Sequence, residues 1–152
     1  MSQLQFKPFA SEDASIVINM MEEFYAIDNY PIDPIVSRDL FFQFVDNETL
    51  GRGWTLIYDE TVVGYFILTF VFSFEYKGRI AFLDELFISK QARGTGLGKK
   101  ALDFIIQQAE SLSLKIIYLE VENHNEAAKK LYLSKGFKVH NRGLMKMMVD
   151  NS

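Results

Sequence analysis

Residues 91–100 read Gln91-Ala92-Arg93-Gly94-Thr95-Gly96-Leu97-Gly98-Lys99-Lys100, and they join two segments of opposite character. Before them, Ile80 to Ile88 reads as a strand, mostly apolar apart from Asp84 and Glu85. After them, Leu97, Ala101, Leu102, Ile105, Ile106, Ala109 and Leu112 recur at the spacing of one helix face. The alternating glycines let the chain turn tightly between strand and helix and bring backbone N–H groups close to a ligand. The helix start adds about half a positive charge, so an anion such as a pyrophosphate is the natural guest. Arg93, Lys99 and Lys100 add full charges at the same corner. A Walker A loop is excluded, because Lys100 stands where Ser or Thr is required and Arg93 where the first Gly belongs. A Rossmann fingerprint is excluded too, because Lys99 stands at its third Gly.

Working outward, Ile116 to Val121 reads as a strand that completes a β-α-β unit, expected to be a parallel pair with a right-handed crossover. Asn125 can cap a helix running to Lys135, with Gly136 placed to stop it. Phe137 to Val139 and Leu144 to Val149 read as a final pair of strands. Upstream, Trp54 to Tyr58 and Val62 to Phe74 flank Asp59-Glu60-Thr61, a hairpin signal, and Glu75 to Arg79 makes the next turn. Leu4 to Phe9 reads as a first strand. Ser11 looks like the cap of a helix carrying Ile16, Val17, Met20, Met21 and Phe24 on one face. Asp28-Asn29-Tyr30-Pro31 breaks it, and Ser37 can cap a second helix with Leu40, Phe41, Phe44 and Val45. The order is β-α-α-β-β-β-α-β-α-β-β. This is an α/β (α+β) domain over residues 1–152, with a mixed central sheet of about seven strands flanked by about four helices.

Composition narrows the function. The chain has 152 residues, 49% hydrophobic and 24% charged, which fits one soluble globular domain. A net charge of −4 argues against a nucleic-acid partner, which needs a basic stripe to displace counterions. With no Cys, disulfides, thiolate metal sites and a Cys nucleophile are excluded. His124 and His140 are too few for a histidine zinc site, so no metal is expected. No secretory signal is visible in Met1 to Asp13, and Val62 to Phe74 is too short to span a bilayer, so the cytoplasm is the expected location and no membrane partner is expected. Leu144, Met145, Met147 and Met148 leave apolar residues on both faces of the last strand, which suits either an internal strand or a homodimer interface.

Three segments taken together resemble one family. Gln91-x-x-Gly94-x-Gly96 resembles the acetyl-CoA motif of the GNAT N-acetyltransferase superfamily. Asn125-x-x-Ala128-x-x-Leu131-Tyr132-x-x-x-Gly136-Phe137 looks like its second signature, and Leu83-Asp84-Glu85-Leu86-Phe87-Ile88 resembles the strand before the loop. The motif detail covers Phe82 to Phe137, and the element order extends it over nearly the whole chain. The resemblance implies a GNAT-like fold with acetyl-CoA as cosubstrate. It implies that Gln91 and the loop from Arg93 through Gly94, Thr95, Gly96, Leu97 and Gly98 to Lys99 hold the CoA diphosphate. The pantetheine arm would pair with the main chain of Leu86, Phe87 and Ile88, whose side chains are otherwise ordinary core. Asn125 is either a helix cap or a CoA contact. Tyr132 is either a packing residue or the acid that protonates the departing thiolate.

The implied reaction is acetyl transfer to a primary amine by direct attack on the thioester. An alkylamine has a pKa of about 10.4, so a base must first remove its proton. Glu85 is the first candidate and Asp84 the alternative, since neighbouring strand residues face opposite ways and a bulge can exchange them. A main-chain N–H near Ile88 would meet the oxyanion. The acceptor region, in the first two helices and their loop, carries Glu22, Glu23, Asp28, Asp33 and Asp39 beside Tyr25 and Tyr30, which suits a small cationic amine. Similarity to polyamine acetyltransferases around Asp84 to Phe87 points the same way. A protein or peptide N-acetyltransferase and a catalytically inactive acyl-CoA-binding module are the alternatives.

Overall fold

The long apolar run around Phe66 forms the middle of the sheet. The structure, a computed structural model, describes residues 3–150. Its strands are β1 (Leu4–Pro8), β2 (Gly51–Tyr58), β3 (Thr61–Ser73), β4 (Gly78–Ile88) and β5 (Ile117–Tyr118). Its helices are α1 (Ala14–Ile27), α2 (Pro34–Asp46), α3 (Leu97–Ser111) and α4 (Glu126–Ser134). The sheet order is β1-β2-β3-β4-β5. The first four strands pair antiparallel and β4 pairs with β5 in parallel across α3, so the sheet is mixed as expected.

Alternation along β3 explains why the run is apolar on both faces. Tyr65 and Ile67 join Val17, Ile18, Met20 and Met21 of α1, Phe41 of α2 and Phe87 of β4 in one buried cluster. Phe66 points the other way, against Trp54 (ring centroids 5.0 Å) and Phe104 of α3 (6.0 Å), and Phe104 stacks on Phe6 at 4.1 Å. A strand covered on both sides has no solvent face to make polar. The β2–β3 turn forms as read, with Asp59 and Glu60 at φ 49° and 69°, the all-positive pattern of a two-residue hairpin turn. No helix among the described residues is long and apolar enough to cross a membrane.

Several local expectations are corrected. Ser11 lies inside a 3-10 turn, Ser11–Asp13, and does not cap α1. Asp13 takes that corner, accepting from Ala10 N (2.8 Å) while pairing with Lys7 Nζ (2.8 Å), because a carboxylate with a cation beside it outcompetes a hydroxyl. Asp33, not Ser37, caps α2, accepting from Ile35 N (3.0 Å) and Val36 N (3.4 Å). Pro34 starts the helix there, since its fixed φ suits the first helical position.

The strand expected over Ile116 to Val121 shortens to Ile117–Tyr118, paired with Ala81 and Phe82. The cause lies two residues further along β4. Ile67 faces Glu85 while Leu68 faces Leu83, so Asp84 is the extra residue of a bulge. A bulge bends and twists its strand, which parts β4 from β5. At the bulge, partial burial and then the Glu120 charge raise the pKa of Asp84.

The described residues group into two compact units divided after Glu120. In the second, Asn125 Oδ1 caps α4 by accepting from Ala128 N (3.1 Å). The helix stops where expected, at Gly136 with φ +99°; Gly136 N donates to Leu133 O and Phe137 N to Tyr132 O. Phe137 to Val139 and Leu144 to Val149 form no strand among the described residues. Val139, Leu144, Met145, Met147, Met148 and Val149 are instead exposed. Apolar residues on both faces specify no register, so nothing in that stretch selects one pairing. Among the described residues the sheet therefore has five strands and not about seven.

Candidate active site

The glycine loop has the geometry of an anion cradle. Gly94 and Gly96 sit at φ +77° and +81°, and a Cβ added at either meets nothing within 4 Å. Gly96 is the residue before α3, and Lys100 N donates to Gly96 O (3.3 Å) as the helix ladder begins. The amides of Leu97, Gly98 and Lys99 precede that first bond and have no partner within the helix. Leu97 is buried, so its side chain anchors the start of the helix. Thr95 Oγ1 donates to Ala92 O (2.6 Å), which braces the loop. Gln91, Arg93, Thr95 and Lys99 are exposed along it.

The open edge of β4 adjoins this cradle. Ser89 N donates to Val63 O (2.7 Å), which fixes the phase of the antiparallel ladder. Alternation then aims the main chain of Phe87 at β3 and that of Leu86 and Ile88 at the opposite edge. There β5 pairs only as far as Phe82, so Leu86 and Ile88 meet no strand. Arg93 Nε donates to Ile88 O (2.9 Å) while its guanidinium lies 5.7 Å over the Phe87 ring. The N–H of Ile88 and both polar groups of Leu86 remain on that edge. An extended, amide-bearing arm ending in a diphosphate fits this strand-then-cradle arrangement.

Glu85 occupies the face of the sheet that α1 covers. Its Oε2 accepts from Tyr25 Oη and its Oε1 from Tyr65 Oη, both at 2.6 Å. Burial raises its pKa above the ordinary carboxylate value, the two hydroxyls lower it, and the Asp84 charge raises it. Burial and then Glu85 push both tyrosines far above their usual pKa, so they remain donors. Tyr65 is a site residue that sequence reasoning missed. It is fully buried, and the signal was there: a tyrosine inside an apolar strand must find a partner for its hydroxyl.

The remaining candidates have separate settings. Asp84 is exposed at the bulge. Asn125 and Tyr132 belong to the second unit. There the Tyr132 ring meets Phe137 edge-on at 5.8 Å, and burial raises its hydroxyl pKa. Asp33 is committed to the α2 cap, whereas Glu22, Glu23 and Asp39 are exposed on α1 and α2.

A glycine loop at a helix start thus lies beside a strand edge that β5 leaves open, and a part-buried carboxylate held by two tyrosines stands on the same strand. The chain belongs to the acetyltransferase (GNAT) family, whose model matches residues 18–137, on both sides of the division after Glu120. It is an acetyl-CoA-dependent N-acetyltransferase. It is similar, at 21% identity over 137 residues, to a D-amino-acid N-acetyltransferase of Saccharomyces cerevisiae, covering 87% of this chain and 83% of that protein. Over 61 residues, 40% of each protein, it is 46% identical to a probable spermine N(1)-acetyltransferase of Bacillus subtilis subsp. natto. An integron cassette protein from the mobile metagenome of Cole Harbour Salt Marsh superposes with a TM-score of 0.87 at 27% identity, covering 97% of this chain and 92% of that one.

Proposed function

We propose that the chain, acting as one N-acetyltransferase domain, acetylates a primary amine of a small cationic acceptor, with Glu85 as the base and Tyr132 as the acid. The observation that carries this reading is the part-buried Glu85 carboxylate, gripped by two tyrosines and one register position from Leu86 and the open β4 edge. Bound acetyl-CoA supplies the activated acetyl thioester. The amides from Arg93 to Lys99, with the charges of Arg93 and Lys99, hold the diphosphate. Leu86 aligns the arm through main-chain bonds, and the Ile88 N–H stabilises the oxyanion. A carboxylate whose pKa burial has raised is better matched to taking an ammonium proton near neutral pH. Tyr132, whose hydroxyl carries its proton at neutral pH, supplies the proton for the leaving thiolate.

Exposed carboxylates on α1 and α2 favour a cationic acceptor, and the partial similarity to the spermine enzyme favours a polyamine. The test is Glu85→Gln. Turnover should fall most at low pH, where the amine most needs a base, while CoA affinity stays near that of the wild type. The same pattern in Asp84→Asn, with Glu85→Gln unaffected, would move the base to the bulge residue.

A further inference from the structure

We propose that Tyr25 and Tyr65 are positioning residues that hold Glu85 in its ionised, reactive form by gripping one carboxylate oxygen each. This rests on Glu85 being the base. The two bonds, at 2.6 Å, lie in the range of hydroxyl donors to a full negative charge. They come from different elements: Tyr25 stands near the end of α1, and Tyr65 is fully buried in the middle of β3. The carboxylate is therefore fixed against rotation from two sides. A carboxylate has about four acceptor positions, so two remain for an amine proton or a bridging water.

The electrostatics give the pair a second role. The groups acting on Glu85 are Tyr25 from α1, Tyr65 from β3 and Asp84 on its own strand. Burial and the Asp84 charge both disfavour the anion, and the two hydroxyls favour it. Without them the carboxyl would hold its proton to higher pH and could not accept another. Neither tyrosine needs to touch the substrate for this.

The test is the titration of Glu85, followed by carbon-detected NMR of labelled glutamate in the intact chain, beside the pH profile of kcat/KM with spermine as the probe amine. Tyr25→Phe and Tyr65→Phe each remove one hydroxyl and keep the ring. The carboxyl midpoint should rise by about one pH unit in each, the size expected from losing one bond to a charged group. The acid limb of kcat/KM should rise with it while KM for acetyl-CoA is unchanged. A midpoint that does not move reduces both tyrosines to packing residues and overturns the proposal, whatever their effect on melting temperature. A midpoint that moves without the acid limb shows that Glu85 is gripped as described but is not the base, so the functional reading fails instead. Because Tyr25 is only half-buried, Tyr25→Phe carries the test alone if Tyr65→Phe does not fold.

Discussion

At Tyr132 a single hydroxyl separates chemistry from packing. The ring meets Phe137 edge-on, and Tyr132→Phe keeps that contact while removing only the oxygen. A positioned acid is worth about 10²–10⁴-fold, and a thiolate with a pKa of about 8.5 leaves readily, so about 10²-fold is the expected loss. The loss should shrink above that pH, where the sulfur departs unprotonated. A pH–rate profile at saturating acetyl-CoA checks this, and equal rates below neutral pH would leave Tyr132 a packing residue. Glu85 offers a stability test with the opposite emphasis. Its folded pKa lies above the ordinary 4.5, so the folded chain binds the extra proton in the window between the two values. Stability from this group is fully present below about 4.5 and is lost as pH rises through the folded value. Glu85→Gln removes that loss. Its melting temperature at neutral pH should match or exceed the wild type's, with any advantage vanishing on acidification, even though turnover falls. A large drop at neutral pH would mean that the ionised carboxylate holds the fold together.

Among the elements, the cradle before α3 can be tested by its backbone alone. Gly96→Val places a β-branched residue at φ +81°, in space that is otherwise open. The conformational cost is about 1–2 kcal/mol, so the fold should survive while thermal stabilisation by CoA is abolished. Undiminished stabilisation would mean that the loop is only a helix entry. This element was legible in the sequence because its signals are local: alternating glycines, then a face built from Ala101, Leu102 and Ile105. The bulge was not legible. Asp84 and Glu85 are adjacent carboxylates in β4 and nothing in the sequence marks one as inserted, so only pairing with Ile67 and Leu68 decides which of them faces α1. The tyrosine grip on Glu85 joins residues 60 and 20 positions apart, beyond any periodicity. Leu144 to Val149 misled for the reverse reason: apolar residues without alternation read as a buried strand, yet the segment is exposed and unpaired in any sheet.

On the scale of the whole molecule, binding and association are the observables. A ligand that binds the native chain and not the unfolded one stabilises the fold, so about 100 Kd of CoA should add about 2.7 kcal/mol to stability, seen as a rise in melting temperature. Leu144, Met145, Met147 and Met148 are the residues on which a homodimer would be built. Light scattering should then give twice the 17.6 kDa chain mass, reverting to one chain in Met145→Glu. A monomer mass at every concentration disposes of the dimer. Acetyl transfer to a small amine is tested most directly by thiol release from acetyl-CoA, followed with a chromogenic thiol reagent across polyamines, aminoglycosides, amino acids and a peptide N-terminus. The expected result is selective release with a small polyamine and none without an acceptor. Binding of CoA without release for any amine, or release with the peptide alone, would contradict it.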